Sequence, residues 1–184
     1  FRSAESLRRA GAGVILVSGP VSIPDPSGVH MVKVETAAQM KAAVDDALPA
    51  DIFVSAAAVA DWSAPALPEK HKKTSDTWDL SLTQTPDILA QVALLPAGQR
   101  PKLVIGFALE STDIGQNAAT KLAKKGCDAL LVNSVSPEAS PFGADDNRLA
   151  WLDKNGSTDW GQNSKSGHAD RLTATISSLI KGEI

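Results

Sequence analysis

Residues 52–61 read IFVSAAAVAD, and this stretch decides the fold. Its first part, Ile52 to Ser55, is a short apolar run that predicts a strand, and the first apolar run of the chain, at residues 14–17, is typical of strands buried on both faces. The strand leads directly into small residues and then into the carboxylate of Asp61. Ligands of open α/β sheets bind where strands end, and Ala56 and Ala57 would let a flat ring lie close to the backbone. The stretch therefore predicts a strand with a binding site at its exit, although Asp61 also fits a simple cap.

Strands and helices alternate on both sides of this stretch. Short apolar runs predict further strands at residues 14–17, 31–34, 102–106 and 129–132, and a hairpin around 149–158 that turns at Asn155-Gly156. Helical spacing and helix-start residues predict helices that end near residue 10 or span residues 37–47, 85–95, 113–125 and 170–180. Thr36 and Thr85 are the expected caps of two of them, with Pro86 at the first helical position of the second. The alternation indicates one α/β domain with a doubly wound, mostly parallel sheet.

Composition excludes several classes of protein. The chain has 184 residues, enough for one core, and its net charge of -3 argues against a general nucleic-acid binder. No apolar run approaches the roughly 20 residues that span a membrane. Cys127 is the only cysteine, so no disulfide forms within the chain, and we expect a reducing, cytoplasmic setting. Because the first residue is Phe1 and the sequence starts within a helical pattern, we also expect a segment upstream.

A basic cluster lies in an irregular, proline-marked stretch. Lys70-His71-Lys72-Lys73 places like charges side by side, and a bound phosphate would relieve their repulsion. A solvated charged loop is the alternative, because most charge runs are solvated. The position of the cluster in a long loop favours a binding role.

Two further candidates lie on predicted helices. Lys121 and Lys125 are one turn apart on the helix 113–125, where an anion between them would explain their pairing and the helix dipole would explain it less well. Asp87 lies at a helix start, where it would repel phosphate but suit a donor such as a ribose hydroxyl. The alternative is again that the carboxylate of Asp87 only compensates the helix dipole.

Other residues are expected to have structural roles. Cys127 fits a small buried hydrophobe, and the histidines at 30, 71 and 168 have no partners at metal-ligand spacing, so no protein-built zinc site is expected. The four tryptophans are expected to pack in the interior, although Trp62, directly after Asp61, is also placed to wall a pocket. The tryptophans are Trp62, Trp78, Trp151 and Trp160.

Several stretches, taken in order, resemble the signature of the bacterial phosphopantothenoylcysteine synthetases. The resemblance covers essentially the whole chain, and it rests on the stretches occurring together, since each one alone is weakly specific. They are Leu16 to Val21, Ala57 to Trp62, Lys70 to Lys73, Pro86 to Leu89, Gly106 to Glu110, Lys121 with Lys125, and Asn133 followed by Phe142 to Asn147. The glycine-rich segment with which the family opens has no counterpart here, and Thr85 and Ser111 depart from the usual pattern.

The resemblance implies a fold, a reaction and partners. It implies a single ligase domain over residues 1–184, Rossmann-like, with an inserted dimerisation flap at about residues 62–84. It further implies that 4'-phosphopantothenate and L-cysteine are joined in coenzyme A biosynthesis. CTP and Mg²⁺ would be used, an acyl-cytidylate would form, and CMP and pyrophosphate would be released. Homodimers are implied, with FMN only where a decarboxylase domain is fused upstream, and no nucleic acid or membrane as partner.

The resemblance also implies site residues. By matching position, Lys70 would act in catalysis and contact the nucleotide. The other nucleotide contacts implied are Ser55, Ala56, Ala57, Asp61, Pro86, Asp87, Ile88, Leu89, Phe107, Lys121 and Lys125. Two other functions remain open, an NAD(P)-dependent oxidoreductase and a catalytically silent nucleotide-binding subunit. The G-x-G-x-x-G opening that would mark the oxidoreductase is not seen in this sequence.

Overall fold

The computed structural model describes residues 1–65, 77–110, 114–134 and 146–183. Glu110, Ser134 and residues 114–119 are described by their backbone alone. The basic cluster at Lys70 to Lys73 and most of the stretch Phe142 to Asn147 lie outside the described residues.

Helices and strands alternate along most of the chain, as predicted. The elements are α1 (Arg2–Arg9), β1 (Ile15–Ser18), β2 (His30–Lys33), α2 (Ala37–Asp46), β3 (Ile52–Ser55), β4 (Trp62–Ser63), β5 (Thr83–Gln84), α3 (Ile88–Ala93), β6 (Leu103–Glu110), α4 (Ile114–Lys125), β7 (Ala129–Ser134), β8 (Asp146–Asp153), β9 (Gly156–Ser164) and α5 (Lys165–Lys181).

The central sheet has the strand order β3-β6-β7-β8-β9 within the described residues. β3, β6 and β7 are parallel, and β8 and β9 add an antiparallel hairpin at one edge. The predicted hairpin is therefore confirmed. The parallel strands with helices between them confirm the α/β class.

β1 and β2 differ from the prediction. They pair in parallel with each other and form a separate two-stranded sheet within the described residues. The expectation that the first apolar run is buried on both faces is wrong, because Ile15 is 50% exposed. A pair of strands has two open edges and cannot cover its own faces, which explains this exposure.

Two apolar clusters cover the two faces of the central sheet, as a doubly wound fold requires. α2, α3 and α4 pack on one face, where Val104 and Leu130 are almost fully buried. α5 and α1 pack on the other face, around Ile105 and Leu172. Alternate residues of β6 point to alternate clusters, as the pleat of a strand dictates.

Trp151 and Trp160 lie beneath α5. Their rings stack with centroids 5.6 Å apart, and Arg171 lies 4.8 Å above the ring centroid of Trp160. The expectation of buried tryptophans is confirmed for this pair and is wrong for Trp62 and Trp78, which are 57% and 58% exposed. These two lie in or beside the short β4–β5 ribbon, which has no second layer to cover it among the described residues.

A chain of polar contacts joins α1 to α5. The Thr173 hydroxyl donates to Ser6 Oγ at 2.9 Å, and the Ser6 hydroxyl donates to Asp170 Oδ1 at 2.6 Å. Arg9 forms an ion pair with the same carboxylate at 2.6 Å. Ser6 and Thr173 are buried, so these contacts satisfy groups that would otherwise lack partners.

Two helix starts differ from the prediction. α3 begins at Ile88 with Asp87 as its N-cap, and Thr85 does not cap it, because the Thr85 hydroxyl donates to the Ala60 carbonyl instead. α5 begins at Lys165, five residues before the predicted start at 170, with the Ser164 hydroxyl accepting from the Gly167 N–H at 3.0 Å. A glycine in the first turn weakens the helical pattern, which explains the late prediction.

Candidate functional site

β3 ends beside the middle of β6, and β6 and β7 continue together for four residues beyond that level. Ser55 is in register with Gly106, and Gly106 is in register with Leu130. Beyond Ser55 the chain continues through the exposed residues Ala56 and Ala57. The strand exit predicted to receive a ligand is thus open at the edge where α/β sheets bind their ligands.

Gly106 allows α3 to pack closely on this edge. A Cβ at this position would lie 2.5 Å from Leu89 Cδ2 and 2.7 Å from Leu130 Cδ2. Any side chain here would push one of the two leucines away. Ile88 and Leu89 are themselves 7% and 8% exposed, so a ligand at this edge would meet mainly their backbone.

The loop before α3 is tied to the exit of β3. The Thr85 N–H donates to the Asp61 carbonyl at 2.9 Å, and the Thr85 hydroxyl donates to the Ala60 carbonyl. Pro86 is half-buried beside these contacts, whereas Asp61 is exposed. The structure thus brings together two stretches predicted to form the site, 55–61 and 86–89.

Asp87 uses both carboxylate oxygens. Oδ1 accepts from the Ala90 N–H at 3.1 Å, and Oδ2 forms an ion pair with Lys125 Nζ. Partial burial alone would raise the pKa of Asp87, but the hydrogen bonds from Lys125 and Ala90 and the charges of Lys125 and Lys124 outweigh it and lower the pKa. Asp87 is therefore held as a carboxylate and remains partly exposed to a ligand.

The sequence left two explanations for Lys125, a bound anion and compensation of the helix dipole, and the structure gives it a carboxylate partner. Its ammonium contacts the carboxylate of Asp87 while its side chain is 32% exposed. Lys121 lies one turn earlier in α4 and is exposed. The pairing with Asp87 offsets much of the charge of Lys125.

Phe107 is separated from these residues. Its side chain packs with the apolar cluster beneath α5, on the face of the sheet opposite to α3 and α4. The predicted contacts therefore include residues on both faces of β6. Lys70, the residue predicted to act in catalysis, lies outside the described residues.

A cavity of about 330 Å³ lies on the Phe107 side. Sequence reasoning did not find it, because its walls come from residues distant in the chain. It is lined by residues of α1, by the 19–29 loop, by β6, β7 and β8, and by the first turns of α5, among them Arg2, Phe107, Asn147, Lys165 and His168. Asn147 belongs to the stretch Phe142 to Asn147, which supports the family resemblance. For His168 the sequence raised only the question of metal binding.

The described residues hold no group of three histidines, cysteines, aspartates or glutamates arranged to bind a metal ion. Cys127 is buried, as predicted, and burial raises the pKa of its thiol. None of the helices in the described part of the chain has the length and apolarity that a bilayer crossing requires.

Comparisons with known proteins extend these observations. Residues 1–180 match the family described as the DNA/pantothenate metabolism flavoprotein C-terminal domain. A Vibrio vulnificus protein named coenzyme A biosynthesis bifunctional protein CoaBC is 38% identical over 184 residues, covering 98% of this chain and 45% of the relative. The Escherichia coli protein of the same name is 41% identical over 160 residues, covering 83% and 39%. The chain thus spans less than half the length of these relatives.

Solved structures agree with the fold. A crystal structure of the C-terminal domain of a CoaBC protein has a TM-score of 0.78 and 27% identity, covering 98% of this chain and 81% of that one. A DNA/pantothenate metabolism flavoprotein from Streptococcus pneumoniae has a TM-score of 0.79 at 18% identity, covering 97% and 86%, and shows the fold alone. With the family match over nearly its whole length, the chain belongs to the DNA/pantothenate metabolism flavoprotein C-terminal domain family and is similar to the C-terminal domain of CoaBC.

Proposed function

We propose that this domain joins 4'-phosphopantothenate to L-cysteine with CTP as cosubstrate, in coenzyme A biosynthesis. The observation that carries the proposal is the junction at the carboxyl edge, where the exit of β3 meets Asp87 and Lys125. The names of the relatives, which are coenzyme A biosynthesis proteins, support the pathway.

The junction suits a nucleoside triphosphate. Ala56 and Ala57 leave room for a flat base against the backbone, and Asp61 and Asp87 offer carboxylates to ribose hydroxyls or a base amino group. Lys121 adds positive charge for phosphate on the same side of the sheet.

Two displacements make up the proposed reaction. The carboxylate of phosphopantothenate attacks the α-phosphorus of CTP, a new O–P bond forms, and pyrophosphate leaves with the bonding electrons. The cysteine amine then attacks the acyl carbon of the acyl-cytidylate, CMP leaves, and the amine loses a proton. Cationic side chains that offset charge developing on phosphate are the main contribution available to a protein here, and we assign that role to Lys70.

Mg²⁺ is proposed to arrive with the nucleotide. The described residues present isolated carboxylates such as Asp61 and no ready cluster of three metal ligands. This arrangement fits Mg²⁺, which usually takes one or two carboxylates together with substrate phosphates and water. Bound with the nucleotide, the ion would neutralise phosphate charge.

A homodimer is proposed through the flap. Four large apolar side chains of the ribbon region are exposed: Trp62 at 57%, Trp78 at 58%, Leu80 at 47% and Leu82 at 50%. Apolar surface gathered on one ribbon marks an interaction site, and a two-fold axis would let two ribbons cover each other. A cytoplasmic location completes the proposal, with FMN involved only if a decarboxylase domain is fused upstream.

Pyrophosphate release by the full-length protein tests this function. We expect release with CTP, phosphopantothenate and Mg²⁺, and amide product only when cysteine is added. Equal rates with ATP, GTP and UTP would contradict the specificity for CTP. CTP binding without product would favour the silent nucleotide-binding subunit, and binding of a nicotinamide dinucleotide in place of CTP would favour the oxidoreductase.

A further inference from the structure

Thr85 ties the exit of β3 to the start of α3. Its N–H donates to the Asp61 carbonyl at 2.9 Å, and its hydroxyl donates to the Ala60 carbonyl. One residue thus bonds two successive peptide groups of the stretch 55–61. Two residues after Thr85 the chain reaches Asp87, the N-cap of α3. Thr85 therefore connects the two stretches whose carboxylates the proposed nucleotide site uses.

Helix capping does not explain the bond that the Thr85 hydroxyl makes. A capping side chain accepts a hydrogen bond from a backbone N–H in the first turn of the helix. Here the Asp87 side chain accepts that bond, from the Ala90 N–H, while the Thr85 hydroxyl acts as a donor to the Ala60 carbonyl. The hydroxyl therefore serves the contact between the two stretches and not the helix that follows.

The two bonds of Thr85 continue the β4–β5 ribbon toward the site. In the ribbon Trp62 pairs with Gln84, and the bond from the Thr85 N–H adds a step at Asp61. The residue after Thr85 is Pro86, which has no N–H to donate. The Thr85 hydroxyl supplies a further bond instead, so the contact reaches one residue closer to the exit of β3.

The two sides of this contact differ in how firmly they are held. Asp87 is fixed by the Ala90 N–H and by Lys125, and it begins a helix that packs on the core. Residues 56–60 have no regular secondary structure and are mostly exposed. A stretch with few buried contacts opens easily unless hydrogen bonds restrain it. The bonds from Thr85 therefore hold the looser side of the site against the firmer one.

We propose that Thr85 is a positioning residue for the nucleotide: its hydroxyl holds the stretch 56–61, and with it the carboxylate of Asp61, at a fixed separation from Asp87. The inference rests on the proposed function and deepens it by naming a residue that acts on the cosubstrate without touching it. A stretch that is already held in the bound arrangement does not have to be ordered when the ligand binds. The Thr85 hydroxyl therefore contributes to affinity for the base and ribose and not to affinity for the phosphates.

Calorimetry on the full-length protein tests the inference, with CTP, CMP and pyrophosphate as separate probes in the presence of Mg²⁺. Thr85→Val keeps the branched shape and the N–H of the residue and removes the hydroxyl. We expect CTP and CMP to bind about fivefold to tenfold more weakly, because binding then has to order the stretch 56–61, and pyrophosphate affinity to stay unchanged. The melting temperature should hardly change, since Ala60 is exposed and water can replace the lost donor.

Two variants serve as controls. Thr85→Ser keeps a hydroxyl at the same position and should bind CTP and CMP as the unaltered protein does. Thr83→Val makes the same chemical change two residues earlier, at an exposed position of β5, and should leave the affinity for all three probes unchanged. A role of Thr85 in general stability would not give this pattern, because it would appear in the melting temperature and not in the choice of probe.

The outcomes separate this inference from the proposed function. Unchanged CTP and CMP affinities in Thr85→Val would overturn it, and so would equal losses in Thr85→Val and Thr85→Ser or an equal loss for pyrophosphate. Thr85→Ala replaces Thr85→Val if the latter does not fold, and failure of both to fold would assign the bond to the fold and overturn the inference. If CTP and CMP binding depends on the Thr85 hydroxyl but the unaltered protein forms no amide, the positioning role stands and the ligase function fails. An unaltered protein that binds neither nucleotide would refute both.

Discussion

Lys125 and Asp87 form an ion pair that fixes the last turn of α4 to the N-cap of α3. The two residues are 38 positions apart in the chain, and both belong to the predicted nucleotide site. The stability of this edge therefore depends on whether Asp87 and Lys125 are both charged.

Asp87→Asn should make the free energy of unfolding less dependent on pH in the acid range. The pKa of Asp87 is lowered in the folded protein, so its contribution is complete above the unfolded value of about 3.9 and is lost as the pH falls through the folded pKa. Because the pair is partly exposed, we expect a loss of less than about 1 kcal/mol at pH 7, and Asn keeps the cap. Urea unfolding between pH 7 and pH 3 measures this, and a variant that loses stability on acidification as steeply as the unaltered protein would contradict it.

Lys121→Gln should weaken CTP binding much more than it lowers thermal stability, because we expect Lys121 to contact phosphate. Lys125→Gln should lower both, since it also breaks the pair with Asp87. Calorimetry with CTP and thermal melting measure the two effects. Lys124→Gln, an exposed change on the same helix, is the control. If Lys121→Gln lowers the melting temperature and leaves CTP affinity intact, the helix-dipole explanation is correct.

Gly106→Ala should destabilise the domain by roughly 1–3 kcal/mol, because the new methyl group overpacks against Leu89 and Leu130. Displacement of Leu89 should also shift the start of α3 and weaken CTP binding. Denaturant unfolding and CTP calorimetry measure the change. Gly13→Ala is the matched control, since nothing lies within 4 Å of its Cβ position, and equal stability losses in both variants would refute the packing argument.

The double change Trp62→Ser and Leu82→Ser should dissociate the proposed homodimer, because it removes two large side chains that would be buried between ribbons. Light scattering at micromolar concentration should give a dimer for the unaltered protein and a monomer for the variant. Leu94→Ser, at a side chain that is 72% exposed outside the flap, should remain dimeric. A monomeric unaltered protein would rule out assembly through the flap.

Lys70→Gln should lower turnover by roughly a hundredfold or more, since one electrostatic donor to the transition state is lost. The melting temperature should hardly change, because the sequence predicts an irregular, proline-marked stretch there and no core element. Turnover of the full-length enzyme measures the effect, with Lys72→Gln and Lys73→Gln as neighbouring controls. Equal, mild losses at all three positions would mean that the cluster supplies only diffuse positive charge.

Local patterns were sufficient to predict most of the fold. The apolar runs marked β3, β6 and β7, and Thr36 marked the start of α2, where it caps the helix with Gln39 in a reciprocal pair. These signals depend on residues that are close together in the chain, so a single sequence is enough to detect them. The start of α5 was missed because Gly167 weakens the helical pattern at the point where Ser164 caps the helix.

The site was less predictable, because its contacts are long-range. The pattern suggested a donor for Asp87 and an anion for Lys125, but only the fold places these two side chains against each other. The cavity beneath α1 and α5 gave no signal, since it brings His168 to Asn147, 21 residues away, and takes its walls from several elements of the fold. The resemblance named Phe107 without indicating that it faces the opposite side of the sheet.

The polar chain between α1 and α5 has a consequence for biosynthesis. The Ser6 hydroxyl bonds to Asp170 and accepts from Thr173, which leave the ribosome more than 160 residues later. Until then α1 lacks its contacts with α5, and the side that α5 covers stays open to chaperones or to other nascent chains. A ribosome that stalls within the β8–β9 hairpin would therefore hold a domain whose central strands can pair but whose first helix still lacks α5.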